Sequence, residues 1–281
     1  MTSLRGRFIA ILAVFKYNWI EAFRHTASIV FLIVLPAIFA AIPIFIGELV
    51  AGGPTVAAQN FLAQVGTANY RLYFLIGFVA WSCIIVELSE FAFWIRRQQM
   101  IGTFEHLRVT PTTYLELLGG LALWGLTIAV LQASTSLLIG GAILGLLNDI
   151  LSPLTIVAIL IVVIGMLSVV GFSLMFSALV VRFREAQRII QILQWVFMYA
   201  IGVFYPITLY PLILRFVCYS LPVSIAIEDV RALLLGTRVV ASWLLDPLIV
   251  ILLGFVYVVI GYRIIQATEL RVKRGEGLAA Y

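Results

Sequence analysis

RRQQMIGTFEHLRVTPTTYLELLGG, residues 96–120, is the longest polar and charged interruption in an otherwise largely apolar chain. Arg96 and Arg97 close one hydrophobic segment, and the residues from Tyr114 open the next. If Thr103 caps a short helix between them, Met100, Phe104 and Leu107 share one face, while Glu105, His106 and Arg108 point elsewhere. Pro111 ends that helix, because the residue before a proline avoids the helical region. Thr113 and Glu116 then form the Thr-x-x-Glu pattern of a capping box that starts a fresh helix. The expected product is a compact helical corner with an apolar face. Such a face either seeks a protein partner or rests on a membrane surface as part of an ordinary interhelical loop.

Outward from this corner the sequence is of membrane grade. Of 281 residues, 63% are hydrophobic and 11% charged, and no soluble core of this length could hide so much apolar surface. Six segments are predicted to span a bilayer, each needing about 20 apolar residues: 28–49, 72–94, 114–147, 154–181, 189–210 and 245–266. Pro36 and Pro43 are expected kinks in the first, and the third is too long for one untilted crossing. With the N-terminus inside, fourteen of the eighteen Lys and Arg fall on the inner side. Only Arg71, Arg215, Arg231 and Arg238 fall outside. That asymmetry predicts both termini in the cytoplasm, and it explains the net charge of +5 without nucleic acid as a partner.

Residues 1–27 mix Arg5, Arg7, Lys16, Glu21 and Arg24 with aromatic and aliphatic side chains, as suits a helix lying in the headgroup plane. The apolar stretch from Phe8 to Phe15 lacks a small-residue cleavage site, so no signal peptide is expected. Residues 50–71 read as an exterior loop, flexible or partly helical, and residues 148–153 as a tight turn. Residues 206–246 are apolar but Pro-rich, and predict one or two short helices folded back between the last two spans. Residues 267–281 form a basic cytoplasmic tail. Cys83 and Cys218 are too far apart in this scheme to pair, so no internal disulfide is expected; Cys218 is either a buried or free thiol or a cross-link between two copies in an oxidising compartment. Neither Lys16 nor Lys273 stands in a Gly-Lys-Ser/Thr context, so no phosphate-binding loop exists on this chain and ATP chemistry must lie elsewhere.

Two separated stretches carry a family resemblance. GTFEHLRVTP followed by TYLELLGG resembles the signature loop of ABC-2 type permeases. Over a hundred residues downstream, Ile201-Gly202-Val203-Phe204-Tyr205-Pro206, then Tyr210-Pro211, Leu221-Pro222, Ala226, Asp229 and Val230-Arg231 are similar to the family's Gly-aromatic-Pro exit from span five and its re-entrant helices. Ser220-Leu221-Pro222 departs from the family's usual Asn-Pro. The resemblance implies an all-α membrane protein: an elbow helix over 1–27, a six-span domain over 28–266, and a coupling helix carrying Gly102, Thr103, Phe104, Glu105, His106, Leu107, Arg108 and Pro111. It implies no cofactor on this chain, with ATP and Mg on a cytoplasmic ABC ATPase. It also implies a second permease copy, identical or homologous, and export from the cell membrane of a hydrophobic or amphiphilic drug, lipid or glycolipid. The re-entrant motif would comprise Gly202, Phe204, Pro206, Pro211, Pro222, Asp229 and Arg231.

Polar residues inside the spans are further candidates. Glu87 and Glu90 lie three apart on one face of span two, either as a pathway or gating pair or as ion-pair partners of nearby arginines. Gln187, Gln191 and Gln194 share a face of span five and could line a path or bond across a helix interface. Ser136, Gly140, Gly141 and Gly145 give small-residue spacing suited to close packing. No second His or acidic cluster accompanies His106, and His25, the other histidine, lies in the surface helix, so no metal site is expected. A membrane-embedded enzyme would need a denser set of His, Asp, Ser or Cys than this. An ion-driven carrier would be expected to show internal repeats, which are not evident.

Overall fold

The computed structural model describes residues 4–24, 26–102, 114–182, 186–237 and 245–273. Every regular element among them is helical. In chain order they are α1 (Leu4–Arg24), α2 (Thr26–Ala51), α3 (Pro54–Val65), α4 (Tyr70–Ile101), α5 (Tyr114–Leu144), α6 (Leu147–Ile150), α7 (Pro153–Arg182), α8 (Ala186–Ala200), a 3-10 turn (Ile207–Leu209), α9 (Leu212–Ser220), α10 (Pro222–Leu235) and α11 (Leu245–Lys273). Five of the described helices, α2, α4, α5, α7 and α11, are long and apolar enough to cross a membrane. A backbone in hydrocarbon must satisfy its own hydrogen bonds, which uninterrupted helices do.

The architecture is centred on α4. The apolar window Tyr70–Phe91 is 72% buried, against 22% for Val34–Ala51 of α2 and 22% for Leu245–Ala267 of α11. Leu72, Leu75, Ile76, Cys83, Ile84 and Leu88 of α4 meet Ala129, Ala133 and Leu137 of α5, Met166 and Val169 of α7, and Val223 and Ile227 of α10 in one core. A second core at the other end of α4 joins Phe91 and Trp94 to Leu117, Leu118 and Leu121 of α5 and to Ile265 of α11.

Glycines let the helices approach closely. A Cβ on Gly140 of α5 would stand 2.4 Å from the Leu75 side chain, so the small-residue spacing there serves packing on α4. The most extensive packing joins α7 to α11. A Cβ at Gly171 would lie 2.5 Å from the Tyr257 carbonyl carbon, and one at Gly261 would lie 2.5 Å from the Gly171 oxygen.

Helix α1 departs from the simple picture of one apolar face. Ile11 and Val14 pack on Gly119 and Gly120 of α5, and Trp19 stacks edge-on against Trp124 with centroids 6.0 Å apart. Phe8, Ile9, Leu12, Ile20 and Phe23 nevertheless stay exposed. The helix is thus apolar on two sides, one packed against protein and one exposed.

Four boundaries differ from the sequence reading. Helix α4 continues to Ile101, so Arg96 and Arg97 ride on it, and Gly102 ends it in the left-handed region at φ 78°. Residues 147–150 form a helical turn, α6, in place of part of the tight turn expected at 148–153. Helix α11 passes the expected end of the last span and runs to Lys273. The fifth segment, expected at 189–210, is helical only over Ala186–Ala200, 15 residues or about 22 Å. Gly202 turns the chain at φ 68°, and Pro206 cannot donate to a continuing helix.

Candidate functional site: an aromatic groove and a buried arginine

Helices α2, α3, α4 and α8 enclose a groove of about 710 Å³. Its walls are mostly rings and aliphatic chains: Phe39, Ile42 and Ile46 of α2, Phe61 of α3, Phe74, Phe78 and Trp81 of α4, Trp195 and Met198 of α8, and Phe204 beyond it. The rings touch in series. Phe61 meets Phe74 at 5.9 Å, Phe74 meets Phe204 at 6.4 Å, Phe204 meets Phe78 at 5.6 Å, Phe78 meets Trp81 at 6.1 Å, and Trp81 meets Trp195 at 5.5 Å. Apolar walls with a few polar groups are the usual composition of a small-molecule site. Here the polar lining comes from Asn60, Gln64, Tyr70 and Tyr205.

The charges next to this groove are neutralised. Glu48 of α2 accepts from the Tyr70 hydroxyl at 2.5 Å and from Arg71 Nε at 2.9 Å, which ties the end of α2 to the start of α4. Asn69 Nδ2 donates to Asp149 Oδ2 at 2.9 Å and fastens the same corner to α6.

Behind the groove, the open end of α8 is satisfied by side chains from elsewhere. The Tyr199 carbonyl accepts from the Tyr210 hydroxyl at 2.9 Å, and the Ala200 carbonyl from Ser224 Oγ at 3.2 Å. The Gly202 carbonyl accepts from Arg231 Nη1 at 2.8 Å and from the Tyr73 hydroxyl at 3.2 Å. Arg231 is 1% exposed, its Cζ sits 3.7 Å from the Tyr73 ring centroid, and its Nη1 lies 3.6 Å from Glu228 Oε1. The lost continuity of α8 is therefore compensated from α4 and α10.

The sequence candidates distribute as follows. Gly102 is described and exposed, whereas Thr103, Phe104, Glu105, His106, Leu107, Arg108 and Pro111 lie outside the described residues, as does Thr113. Glu116 is buried and pairs with Arg7 of α1 at 3.6 Å. Glu87 and Glu90 separate in environment. Glu87 is fully buried against Gly125, both its carboxylate oxygens lack hydrogen-bond partners, and it does not line the groove. Glu90 lies 3.9 Å from Arg97, which also reaches Glu21 of α1 at 3.4 Å. Gln194 bonds across to α4, donating to Ser89 Oγ at 2.8 Å, while Gln191 is exposed and the Gln187 side chain lies outside those described. Of the downstream motif, Phe204 lines the groove, Gly202 and Arg231 bond to each other, and Pro211 and Pro222 open α9 and α10. Asp229 is buried, with Oδ2 unpartnered. Both cysteines are free and buried.

Sequence reasoning passed over the ring series. Its signal was present: Phe74, Phe78 and Trp81 recur at i, i+4 and i+7, one face of a helix. Glu48 was missed because nothing local announces its partners twenty-two and twenty-three residues away.

A comparison with curated proteins finds no match. The sequence profile of the ABC-2 type transporter family matches residues 9–235, which hold the groove-lining residues, Arg231 and the segment that follows α4. Together with five helices fit to cross a membrane, that match makes this chain a multi-pass membrane permease belonging to the ABC-2 type transporter family.

Proposed function

We propose that the chain is the transmembrane subunit of an exporter that moves a hydrophobic or amphiphilic compound outward, driven by a separate ABC ATPase that carries the ATP and Mg. The observation that carries the reading is the groove of about 710 Å³, walled by contacting rings. Such a surface desolvates an apolar compound at low cost and offers stacking on many faces. Lipid, drug or glycolipid tails suit it; a bare polar cargo does not.

The remaining assignments follow the family. The segment from Gly102 to Pro111, next after α4, serves as the coupling knob received by the ATPase. A helix of 32 residues, about 48 Å, can carry its displacement to the groove. Helix α1 serves as the elbow within residues 1–27, and α8 completes a sixth pass through its capped end within the domain 28–266. Both termini, including the tail 267–281, face the cytoplasm at the cell membrane. Two permease copies, identical or homologous, pair around one path.

Affinity purification of the tagged chain from its native membranes tests this directly. A co-purifying protein with a phosphate-binding loop, and ATP-dependent accumulation of a lipophilic dye in inverted vesicles, are the expected results. Dye movement driven by an ion gradient without ATP would overturn the reading.

A further inference from the structure

Burying a guanidinium is costly unless its donors find acceptors. Arg231, rooted on α10, finds them on two other elements for its two terminal nitrogens, while its buried Nε has no hydrogen-bond partner. Nη1 donates to the Gly202 carbonyl at 2.8 Å, while Nη2 faces the Val203 carbonyl at 3.4 Å and the Tyr73 carbonyl at 3.5 Å. The plane rests on the Tyr73 ring at 3.7 Å, and Glu228 balances the charge at 3.6 Å. Gly202 and Val203 form the exit of α8, where a helix presents partial negative charge. Tyr73 and Gly77 belong to the first turns of α4. A Cβ on Gly77 would come within 2.5 Å of Arg231 Nη2, so that glycine leaves the room the guanidinium occupies.

This junction sits next to the groove wall. Phe204, one residue past Val203, closes on Phe78 and Phe74 and forms the groove wall. On the far side Ile207, Ala200 and Cys218 pack together. Separating α4 from the end of α8 therefore requires breaking the Arg231 contacts. Helix α4 is also the helix that runs to Gly102, beside the coupling knob.

We propose that Arg231 is a positioning residue, a latch that holds this end of the groove shut by tying the α8 exit to α4 and that is released in the ATP-driven stroke. The release rests on the exporter reading above; the latch itself rests on the contacts alone.

Cys218 supplies the readout, because it is a free buried thiol beside the junction. The experiment uses the chain with its ATPase in nanodiscs, in a Cys83→Ala background, and measures the rate of Cys218 modification by a maleimide with and without ATP and vanadate. The wild-type latch should label slowly without nucleotide and about tenfold faster when trapped, the factor that loss of one charge-assisted hydrogen bond corresponds to. Arg231→Met should label fast in both conditions, and Arg231→Lys should restore slow labelling in part and keep the nucleotide response. Tyr73→Phe removes only the hydroxyl donated to Gly202, and should raise the nucleotide-free rate while leaving the ring in place. A parallel Cys218→Ala protein, in which Cys83 stays unreactive, separates latch opening from unfolding.

Labelling of Arg231→Met as slow as wild type would overturn the latch, as would a Tyr73→Phe rate equal to wild type where the methionine variant does not fold. Fast labelling of the variants with no nucleotide effect on the wild type would keep the latch but overturn its release by ATP.

Discussion

Replacing Gly171 by alanine sets two effects of similar size against each other at the α7–α11 crossing. Alanine favours a helix over glycine by about 1 kcal/mol. Its Cβ, however, would lie 2.5 Å from the Tyr257 carbonyl carbon, 2.6 Å from the Val258 nitrogen and 2.7 Å from the Tyr257 Cβ. These atoms are backbone or fixed to it, so no rotamer change relieves the overlap and α11 must retreat as a body. Overpacking costs about 1–3 kcal/mol; with three overlaps on atoms that cannot move separately the upper half, about 2–3, applies, which leaves a net loss of about 1–2 kcal/mol after the propensity gain of about 1. Gly254→Ala on the same crossing meets nothing nearer than the Ser168 nitrogen at 3.4 Å. There the propensity term should win, with a gain of about 0.5–1 kcal/mol. Thermal unfolding can be followed with a thiol-reactive dye, since Cys83 and Cys218 are both buried until the bundle opens. At roughly 2–4 °C per kcal/mol for a chain of this size, the two variants should move apparent Tm in opposite directions by a few degrees. A Gly171→Ala protein as stable as wild type, or a Gly254→Ala protein equally destabilised, would refute the argument that backbone contact sets the tolerance here.

Phe104→Glu combined with Leu107→Glu should abolish ATP-dependent transport while the ATPase still hydrolyses ATP; unchanged transport in vesicles would remove the knob from the coupling route. Trp195→Ala should raise the dye concentration needed for half-maximal ATPase stimulation by roughly 2- to 12-fold, the equivalent of one ring contact, with basal hydrolysis unaltered. An unchanged half-maximal concentration would take α8 out of the groove wall. Glu87→Met should raise apparent Tm, because it removes two buried oxygens without partners whose desolvation costs about 1–3 kcal/mol. It should lower transport if that cost is retained for function. A lower Tm would mean that the carboxylate has a partner.

Spans one to four and six could be read from the sequence because bilayer thickness imposes a length on any apolar helix, and the observed ends fall within a few residues of it at most termini. The fifth could not. Residues 189–210 are apolar and carry no Asp, Glu, Lys or Arg, and nothing local says that Ser224, Arg231 and Tyr73 will take over the carbonyls at the end of α8. That information lies in α10 and α4, and only folding brings it together. The arginine itself was visible as part of a motif, but its burial was not, since Asp229-Val230-Arg231 reads equally well as a solvated helix face. The two apolar sides of α1 were legible as composition; which side meets Gly119 and Gly120 depends on α5. Charge pairing behaved likewise: Glu90 found Arg97 on its own helix, as spacing allowed, whereas Glu48 found Arg71 across the whole of α3.

The shortness of α8 has a consequence for the surrounding bilayer. If α8 makes the proposed sixth pass, its length of about 22 Å against a hydrocarbon core of about 30 Å leaves roughly a quarter of the thickness unfilled on its side of the bundle. Helix α9, with Leu212, Ile213, Leu214, Phe216 and Val217 all more than half exposed, follows its end and in that arrangement would offer lipid tails a floor. Acyl chains there would then shorten or bend over α9. The cost of that accommodation grows with membrane thickness by fractions of a kcal/mol per Å. On that arrangement the permease carries, beside its groove, an element whose energy depends on acyl-chain length, and the lipid composition of the host membrane becomes a variable in how readily the proposed latch opens.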